Sequence, residues 1–255
     1  MRVSTADHWR AHWAGERSEF EAYTNDERLL DALSTAMPLR GARVLEVGAG
    51  TGRDAVRLAE LGAHVTVLDY VREALDIVQR NAARAGVQVD TVHGDAFAMP
   101  FRDGSFDVVF HQGLLEHFRE PLPLLAENAR VLAPGGVLLV DVPQRWHPYT
   151  LVKKAYIAAG RWFAGWETEF SARELAALVE STGLRVEHRY GDWLVPNMAY
   201  RAARRYLAAA GVATLPSHPR VPVLSRLADA VRRRAHRSRL ALWTYATVGV
   251  VARRP

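Results

Sequence analysis

The chain of 255 residues contains no cysteine. Disulfide bonds, thiolate metal sites and a cysteine nucleophile are therefore excluded. Long apolar runs are also absent, since none approaches the roughly 18 uninterrupted residues of a membrane-spanning helix. The first residues, MRVSTADHWRAHW, lack the apolar core of a secretion signal. We therefore expect a cytoplasmic protein with no transmembrane segment.

Acidic residues are scarce in one long stretch of the chain. The formal net charge is +5, and residues 201–239 hold ten arginines against a single acid, Asp229. The simplest interpretation is a set of solvated helix faces in an arginine-rich protein. The stretch would also suit an anionic substrate or weak contact with an anionic membrane surface.

The most informative stretch is VLEVGAGTGRDAV at residues 44–56. Its first four residues form a short apolar run, which predicts a buried strand. Gly48, Gly50 and Gly52 follow at alternate positions, and helical spacing begins at Asp54. Glycines allow a ligand to approach the backbone, and the start of a helix offers unpaired N–H groups. The pattern therefore predicts a nucleotide-binding turn.

The glycine spacing argues against a dinucleotide. A nicotinamide-binding turn places its third glycine three residues after the second, whereas Gly52 follows Gly50 by two. Glu46 would repel a pyrophosphate but suits a ligand with an ammonium and a sulfonium group. The stretch resembles the first motif, E/D-x-G-x-G-x-G, of the class I S-adenosylmethionine (SAM)-dependent methyltransferases. The resemblance implies SAM as cofactor, S-adenosylhomocysteine as product, and contacts from Glu46, Gly48, Ala49, Gly50 and Gly52.

A second motif continues the resemblance at the end of the next predicted strand, His64–Leu68. Asp69 lies 17 residues beyond Gly52, where an acid in this family accepts hydrogen bonds from both ribose hydroxyls. Tyr70 follows it and is also expected at the cofactor. Asp69 could instead only cap the helix predicted over Arg72–Ala85.

A third motif follows a strand predicted at Gln88–Val92. The resemblance implies that Asp95 binds the adenine amino group and that the backbone of Ala96 contacts a ring nitrogen. Phe97 could pack on the adenine face. Asp95 could alternatively be a turn-forming residue without a ligand.

A fourth motif, FDVVFHQGLLEHF, spans residues 106–118. The resemblance places His111, Gln112 and Gly113 beside the transferred methyl group. An L-x-P-G-G turn at residues 132–136 then precedes a fifth strand, as in the small-molecule branch of the family.

Strand signals that alternate with helices predict a largely parallel, right-handed sheet. The resemblance implies an α/β, Rossmann-like fold in which a seven-stranded, mostly parallel sheet has helices on both faces and an antiparallel last strand. We place the final hairpin at Arg185–Gly191 and Trp243–Ala252.

We interpret residues 1–255 as one domain, which suits their length and 49% apolar content. Residues 1–40 are predicted to form a helical cap, and residues 41–142 the SAM-binding core. Residues 143–170 and 195–240 are predicted helical insertions that form a lid over the substrate.

Aromatic side chains are concentrated in the cap and the first insertion. We expect the acceptor to contact Tyr23, Trp146, Tyr149, Trp162 and Trp166, because clustered aromatics suit a hydrophobic acceptor. The alternative is a small satellite core beneath the lid.

Three histidines are candidate bases for an acceptor that must lose a proton: His111, His147 and His117. Glu116-His117 matches part of a metal-binding Glu-x-x-Glu-His motif of some relatives, but Gly113 replaces the first glutamate. We therefore predict no metal.

The most favoured function is methylation of an oxygen or nitrogen in a hydrophobic small molecule, either neutral or anionic. The N/D-P-P-Y/F motif of amino-nucleobase methyltransferases is absent after the fourth strand, so a nucleic acid is an unfavoured partner. RNA or a lipid or quinone acceptor held by residues 201–239 is the alternative, as is a SAM-binding subunit that only activates a partner. A homodimer joined by the second insertion stays open.

Overall fold

Seven strands alternate with helices along the described residues, which are 5–13, 28–162, 164–193, 198–216 and 241–255 of this computed structural model. The strands are β1 (Arg43–Val47), β2 (His64–Asp69), β3 (Asp90–His93), β4 (Phe106–Gln112), β5 (Leu132–Pro143), β6 (Arg185–Asp192) and β7 (Thr247–Arg253). The helices are α1 (Ala6–Trp13), α2 (Arg28–Ala36), α3 (Arg53–Glu60), α4 (Arg72–Ala85), α5 (Leu122–Val131), α6 (Pro148–Ala158), α7 (Ala172–Glu180) and α8 (Met198–Ala209). Short 3₁₀ turns occupy Leu115–His117 and Ala241–Trp243.

The strands form one sheet in the order β3-β2-β1-β4-β5-β7-β6. The pairs from β3 to β5 are parallel, whereas β7 lies between β5 and β6 and is antiparallel to both. This confirms the predicted fold class, with its antiparallel last strand. The strand order reverses direction between β1 and β4, and ligands of open α/β sheets bind beyond the carboxyl ends of the strands at such a point.

Both faces of the sheet are covered because consecutive strand residues point to opposite sides. Val44 of β1 belongs to the core beneath α2, α3 and α4, and the adjacent Leu45 belongs to the core beneath α5 and α7. Both side chains are fully buried. Central strands that are buried on both faces are rich in apolar residues, as in the run Val137–Val140 of β5, whereas the edge strands β3 and β6 carry exposed polar residues.

Helix ends follow local sequence signals. Ser171 and Glu174 form a capping box at the start of α7: Glu174 N–H donates to Ser171 Oγ at 3.2 Å, and Ser171 N–H donates to Glu174 Oε2 at 2.8 Å. Gly86 ends α4 in the left-handed region, with φ 70°.

Three predicted boundaries differ from the structure. The third strand begins at Asp90 instead of Gln88. The last strand begins at Thr247 instead of Trp243, because Ala241–Trp243 forms a 3₁₀ turn whose Leu242 carbonyl accepts from Gln144 Nε2 at 2.6 Å. The predicted P-G-G turn lies inside β5 as a bulge. On β4, Phe106 pairs with Leu132 of β5, but Val108, two residues later, pairs with Val137.

Each predicted insertion contains a described helix, α6 in the first and α8 in the second. In the second insertion, apolar residues recur at helical spacing at Leu224, Leu227, Ala228 and Val231, but these lie outside the described residues, as do Phe20, Tyr23 and Phe163. Tyr206 of α8 is exposed. Across the described part of the chain, no helix combines the length and apolar character needed to cross a membrane.

Candidate active site

A cavity of about 900 Å³ lies beyond the carboxyl ends of β1, β2 and β4. Eleven of the twelve residues predicted to contact the cofactor line it: Glu46, Gly48, Ala49, Gly50, Gly52, Asp69, Tyr70, Asp95, Ala96, Phe97 and Gln112. The twelfth, His111, does not. Four separate sequence motifs therefore meet at the switch point of the sheet.

The glycine turn after β1 needs glycine for two different reasons. Gly50 has φ 48°, and an added Cβ would meet no atom within 4 Å. Because Gly50 lines the cavity, a side chain there would occupy ligand space. Gly52 has φ 67°, and an added Cβ would lie 2.8 Å from Val78 of α4. Gly50 therefore keeps the cavity open, while Gly52 allows helix packing.

Asp69 orders the turn as well as lining the cavity. Its Oδ2 accepts from Ala49 N–H at 2.7 Å, and its Oδ1 accepts from Val71 N–H at 2.8 Å. Burial raises the pKa of the Asp69 carboxyl. A carboxylate has about four acceptor positions, so two remain for a diol such as ribose. The predicted ribose contact and a structural role are compatible in the same side chain.

Glu46 and Asp54 place two buried carboxyl groups at one end of the cavity. Glu46 Oε2 has no hydrogen-bond partner, and burial together with the charge of Asp54 raises the pKa of Glu46 well above its usual range. Asp54 Oδ2 accepts from Gln112 Nε2 at 2.7 Å. A ligand ammonium would supply the missing partner and charge. This end of the cavity therefore fits the methionine part of SAM.

The third motif also lines the cavity. Asp95 Oδ1 accepts from Phe97 N–H at 2.9 Å, so the carboxyl does form its own turn. The Phe97 ring lies edge-on to Phe118, with centroids 4.8 Å apart and an interplanar angle of 88°. Together these residues give an apolar wall with an acid beside it, an arrangement that suits a purine.

Aromatic residues of α1 close a further side of the cavity. Trp9, His12 and Trp13 line it, and the Trp9 ring contacts His117 with centroids 4.7 Å apart. The resemblance implied that N-terminal helices lie over the cofactor, but His12 was not predicted. On α4, Asn81 also lines the cavity and donates from Nδ2 to the Thr51 carbonyl at 2.8 Å. No motif marks it, since its role depends on a contact across 30 residues.

The three candidate bases lie in different environments. His111 is fully buried, neither ring nitrogen has a partner, and burial lowers its pKa to about 3. His147 is the N-cap of α6, where its Nδ1 accepts from Tyr149 N–H at 3.2 Å. Neither lines the cavity, whereas His117 does. Burial lowers the pKa of His117, which favours the neutral ring that a base requires.

The aromatic residues predicted to contact the acceptor are not at the cavity. Trp146 is exposed, and Tyr149 packs edge-on against Trp162 with centroids 6.3 Å apart. Trp166 lies beneath the Arg119 guanidinium at 4.2 Å. None of these four lines the cavity, and Tyr23 lies outside the described residues. These four side chains therefore lie away from the cavity that the cofactor motifs line, and their contact with an acceptor stays a prediction.

Glu116 beside His117 is fully buried, and neither of its carboxyl oxygens has a hydrogen-bond partner. Within the ranges that the structure describes, no group of three or more histidine, aspartate or glutamate side chains is arranged to hold a metal ion.

Comparison with known proteins supports the same interpretation of the cavity. A family model described as a methyltransferase domain matches residues 45–140. The ubiquinone biosynthesis O-methyltransferase of Xanthomonas euvesicatoria pv. vesicatoria is 30% identical over 222 residues, covering 82% of this chain and 90% of that protein. The demethylmenaquinone methyltransferase of Clavibacter sepedonicus is 37% identical over 136 residues, covering 52% of this chain and 54% of that protein.

A solved structure shares the fold over nearly the whole chain. Magnesium protoporphyrin IX methyltransferase from Synechocystis PCC 6803, with bound S-adenosylhomocysteine, superposes with a TM-score of 0.59 at 15% identity. The match covers 98% of this chain and 93% of that one. Fold, cavity and relatives together define a SAM-binding α/β enzyme. The chain belongs to the class I SAM-dependent methyltransferases, and SAM is its methyl donor.

Proposed function

We propose that the enzyme methylates an oxygen of a hydrophobic, ring-bearing small molecule, with His117 as the base. The observation that supports this most directly is the polarity of the cavity. Carboxyl groups of Glu46 and Asp54 mark one side, while Trp9, Phe118 and His117 line another. The Xanthomonas relative named as an O-methyltransferase supports oxygen as the acceptor atom. A quinone precursor is the kind of acceptor that both named relatives favour.

The proposed reaction is an in-line displacement. SAM, when bound, supplies an electrophilic methyl group on sulfur. Neutral His117 accepts the proton from the acceptor hydroxyl, the oxygen forms a bond to the methyl carbon, and the carbon–sulfur bond breaks to leave S-adenosylhomocysteine. Positioning of the two reactants can contribute about 7–11 kcal/mol in favourable cases. A base of this kind adds roughly 10²–10⁴ in rate.

The decisive experiment supplies methyl-labelled SAM with a catechol, an aromatic amine and RNA in parallel. Transfer to the catechol oxygen, located by mass spectrometry, is the expected result. His117→Gln should lower kcat by roughly 10²-fold or more with little change in SAM affinity. His147→Gln is the matched control and should retain activity. Transfer only to RNA, or full activity of His117→Gln, would contradict the proposal.

Cellular location and assembly remain predictions from the sequence. We propose a cytoplasmic enzyme, for which fractionation of the source cells is the test. Whether two copies associate through residues 195–240 can be measured by light scattering. Only a concentration-independent mass of one chain would exclude the dimer.

A further inference from the structure

Helix α6 has its polarity reversed relative to an ordinary surface helix. Lys153 is only 1% exposed, and its Nζ lies 2.8 Å from Glu167 Oε2 and 3.3 Å from Glu169 Oε1. Thr150 is also buried and donates from Oγ1 to the Gln144 carbonyl at 2.7 Å. Surface helices normally bury an apolar stripe and expose their polar residues. The inner face of α6 is instead held by an ion pair and a hydrogen bond.

The outer face of α6 is apolar and in contact with solvent. Leu151 is 73% exposed, Val152 45% and Tyr156 48%, and Trp146 just before the helix is 59% exposed. Eleven large apolar side chains are exposed in the described ranges, and these four fall within eleven consecutive residues. Single exposed apolar residues are ordinary, but a cluster of them marks an interaction surface. We call Trp146, Leu151, Val152 and Tyr156 the α6 patch.

The charge around the α6 patch is positive. Residues 145–166 contain four lysines and arginines and no aspartate or glutamate. Glu167 and Glu169 are buried beneath the helix and pair with Lys153. Glu169 also lies 3.2 Å from Nζ of Lys154, whose side chain stays 56% exposed, and Arg161 is exposed as well.

We propose that the α6 patch docks on an anionic lipid surface. An apolar helix face flanked by cations is the combination that places a helix in the headgroup region, with its apolar side chains at the acyl boundary. A second copy of this chain fits less well. In a two-fold symmetric contact both copies use the same patch, so Lys154 and Arg161 of each copy would lie in one small interface, where like charges repel.

The α6 patch is connected to the active site through a short segment of the chain. Glu167 and Glu169 hold Lys153, and the intervening Thr168 donates from N–H to the Glu116 carbonyl at 2.8 Å. His117, which follows Glu116, lines the cavity. Docking of α6 would therefore act on a segment that is hydrogen-bonded to the residue before His117, whichever acceptor the enzyme uses.

The test is flotation of the full chain with lipid vesicles. One set contains phosphatidylcholine alone, and the other contains phosphatidylcholine mixed with phosphatidylglycerol. We expect the wild-type chain to float with the anionic vesicles and to be released by added salt, since exposed charges are screened. A variant with Leu151, Val152 and Tyr156 all changed to Ser should lose binding by about tenfold or more.

Matched control variants distinguish binding through the α6 patch from non-specific adsorption to vesicles. Leu122→Ser removes a leucine of similar exposed character on α5 and should leave flotation unchanged. Arg161→Glu should weaken binding to anionic vesicles, whereas Arg102→Glu should not. Circular dichroism and SAM binding confirm that each variant is folded.

Three outcomes would overturn the proposal. The first is no flotation of the wild-type chain with anionic vesicles. The second is flotation of the triple serine variant equal to that of the wild-type chain, or a loss of flotation in Leu122→Ser equal to that in the triple variant. The third is a stable wild-type dimer in light scattering that the triple variant converts to a monomer, because the patch would then be an interface between copies.

Discussion

Arg28 donates from Nε to Asp141 Oδ2 at 2.7 Å, and both side chains are almost completely removed from solvent. The same guanidinium donates from Nη2 to Gln112 Oε1 at 3.3 Å. Gln112 then donates to Asp54, which lines the cavity with it. Because the amide oxygen of Gln112 is bound to Arg28, its nitrogen must face Asp54. The first residue of α2 thereby fixes one wall of the cofactor site.

Replacement of Arg28 by Met should destabilise the protein by about 3–5 kcal/mol, because it leaves the Asp141 charge buried without its partner. SAM binding should weaken as well, since Gln112 is no longer oriented. Urea unfolding and titration calorimetry measure the two effects. Arg43→Met is the control: its partner Asp107 is on the surface, so the loss should stay below about 1 kcal/mol. Equal losses in both variants would contradict this.

Replacement of Gly50 by Val should abolish measurable SAM binding while the protein stays folded. An added side chain at Gly50 meets no neighbour and projects into the cavity. Gly86→Val provides the matched control, because Gly86 also has positive φ and open space around it but lies at the end of α4, away from the cavity. Both variants carry a similar backbone strain of about 1–3 kcal/mol. Tight SAM binding by Gly50→Val would show that the turn does not approach the ligand.

Replacement of Asp69 by Ala should weaken SAM affinity by about tenfold or more, since a hydrogen bond to a charged group contributes about 1.5–3 kcal/mol. The variant should also lower the free energy of unfolding, because the Asp69 carboxylate accepts hydrogen bonds from the backbone of Ala49 and Val71. A second measurement isolates the ribose contact: S-adenosylhomocysteine and its 2′-deoxy analogue are compared on the wild type and on Asp69→Asn. The wild type should discriminate between them, and the asparagine variant should not. Equal discrimination by both would remove the ribose assignment.

SAM binding should release protons from the Glu46 carboxyl. Burial raises its pKa, so the folded protein holds a proton that the unfolded chain has lost, and the associated stability is lost as pH rises through the folded pKa. A ligand cation favours the charged form, so SAM affinity should increase with pH in the same window. Calorimetry in buffers of different ionisation enthalpy measures the release, which Glu46→Gln should reduce. The exposed-surface variant Glu60→Gln should leave it unchanged.

Replacement of His111 by Leu should retain methyl transfer and improve stability in acid. Burial lowers the His111 pKa from 6.5 to about 3. Between these two values His111 is protonated in the unfolded chain but neutral in the native state. The free energy of unfolding therefore decreases as pH falls from 6.5 towards 3. Leucine at this position removes the pH-dependent loss of stability, and it also replaces a buried polar ring that has no hydrogen-bond partner. Unfolding curves across this range should be flatter for the variant. A large decrease in kcat would instead indicate that His111 takes part in the reaction.

The sequence predicts those parts of the site in which the ligand contacts and the backbone conformation are both determined by one short segment of the chain. The glycine turn and Asp69 are of this kind, since each acts within a few residues of a strand end. The position of His111 outside the cavity also follows from a local pattern. Gln112 faces the cavity, and adjacent strand residues point to opposite sides, so His111 must point away from it.

Other features could not be inferred from local patterns. Arg28 meets its partner across 113 residues, and nothing in the sequence around it marks a buried arginine. Aromatic clustering in residues 144–170 predicts apolar contact but does not distinguish a pocket from packing around a helix. The inward lysine of α6 likewise contradicts the usual helical pattern, because its partners Glu167 and Glu169 come from the next segment.

The position of β7 between β5 and β6 also determines the order in which the enzyme can form during synthesis. β6 has no hydrogen-bonding neighbour in the sheet until residues 247–253 have left the ribosome. A nascent chain can pair β1 to β5 earlier, because those strands are contributed by the first 143 residues. Until release, the edge of β5 stays open to other strands, and such edges promote aggregation. Truncation within β7 should therefore increase dependence on chaperones far more than truncation within α1.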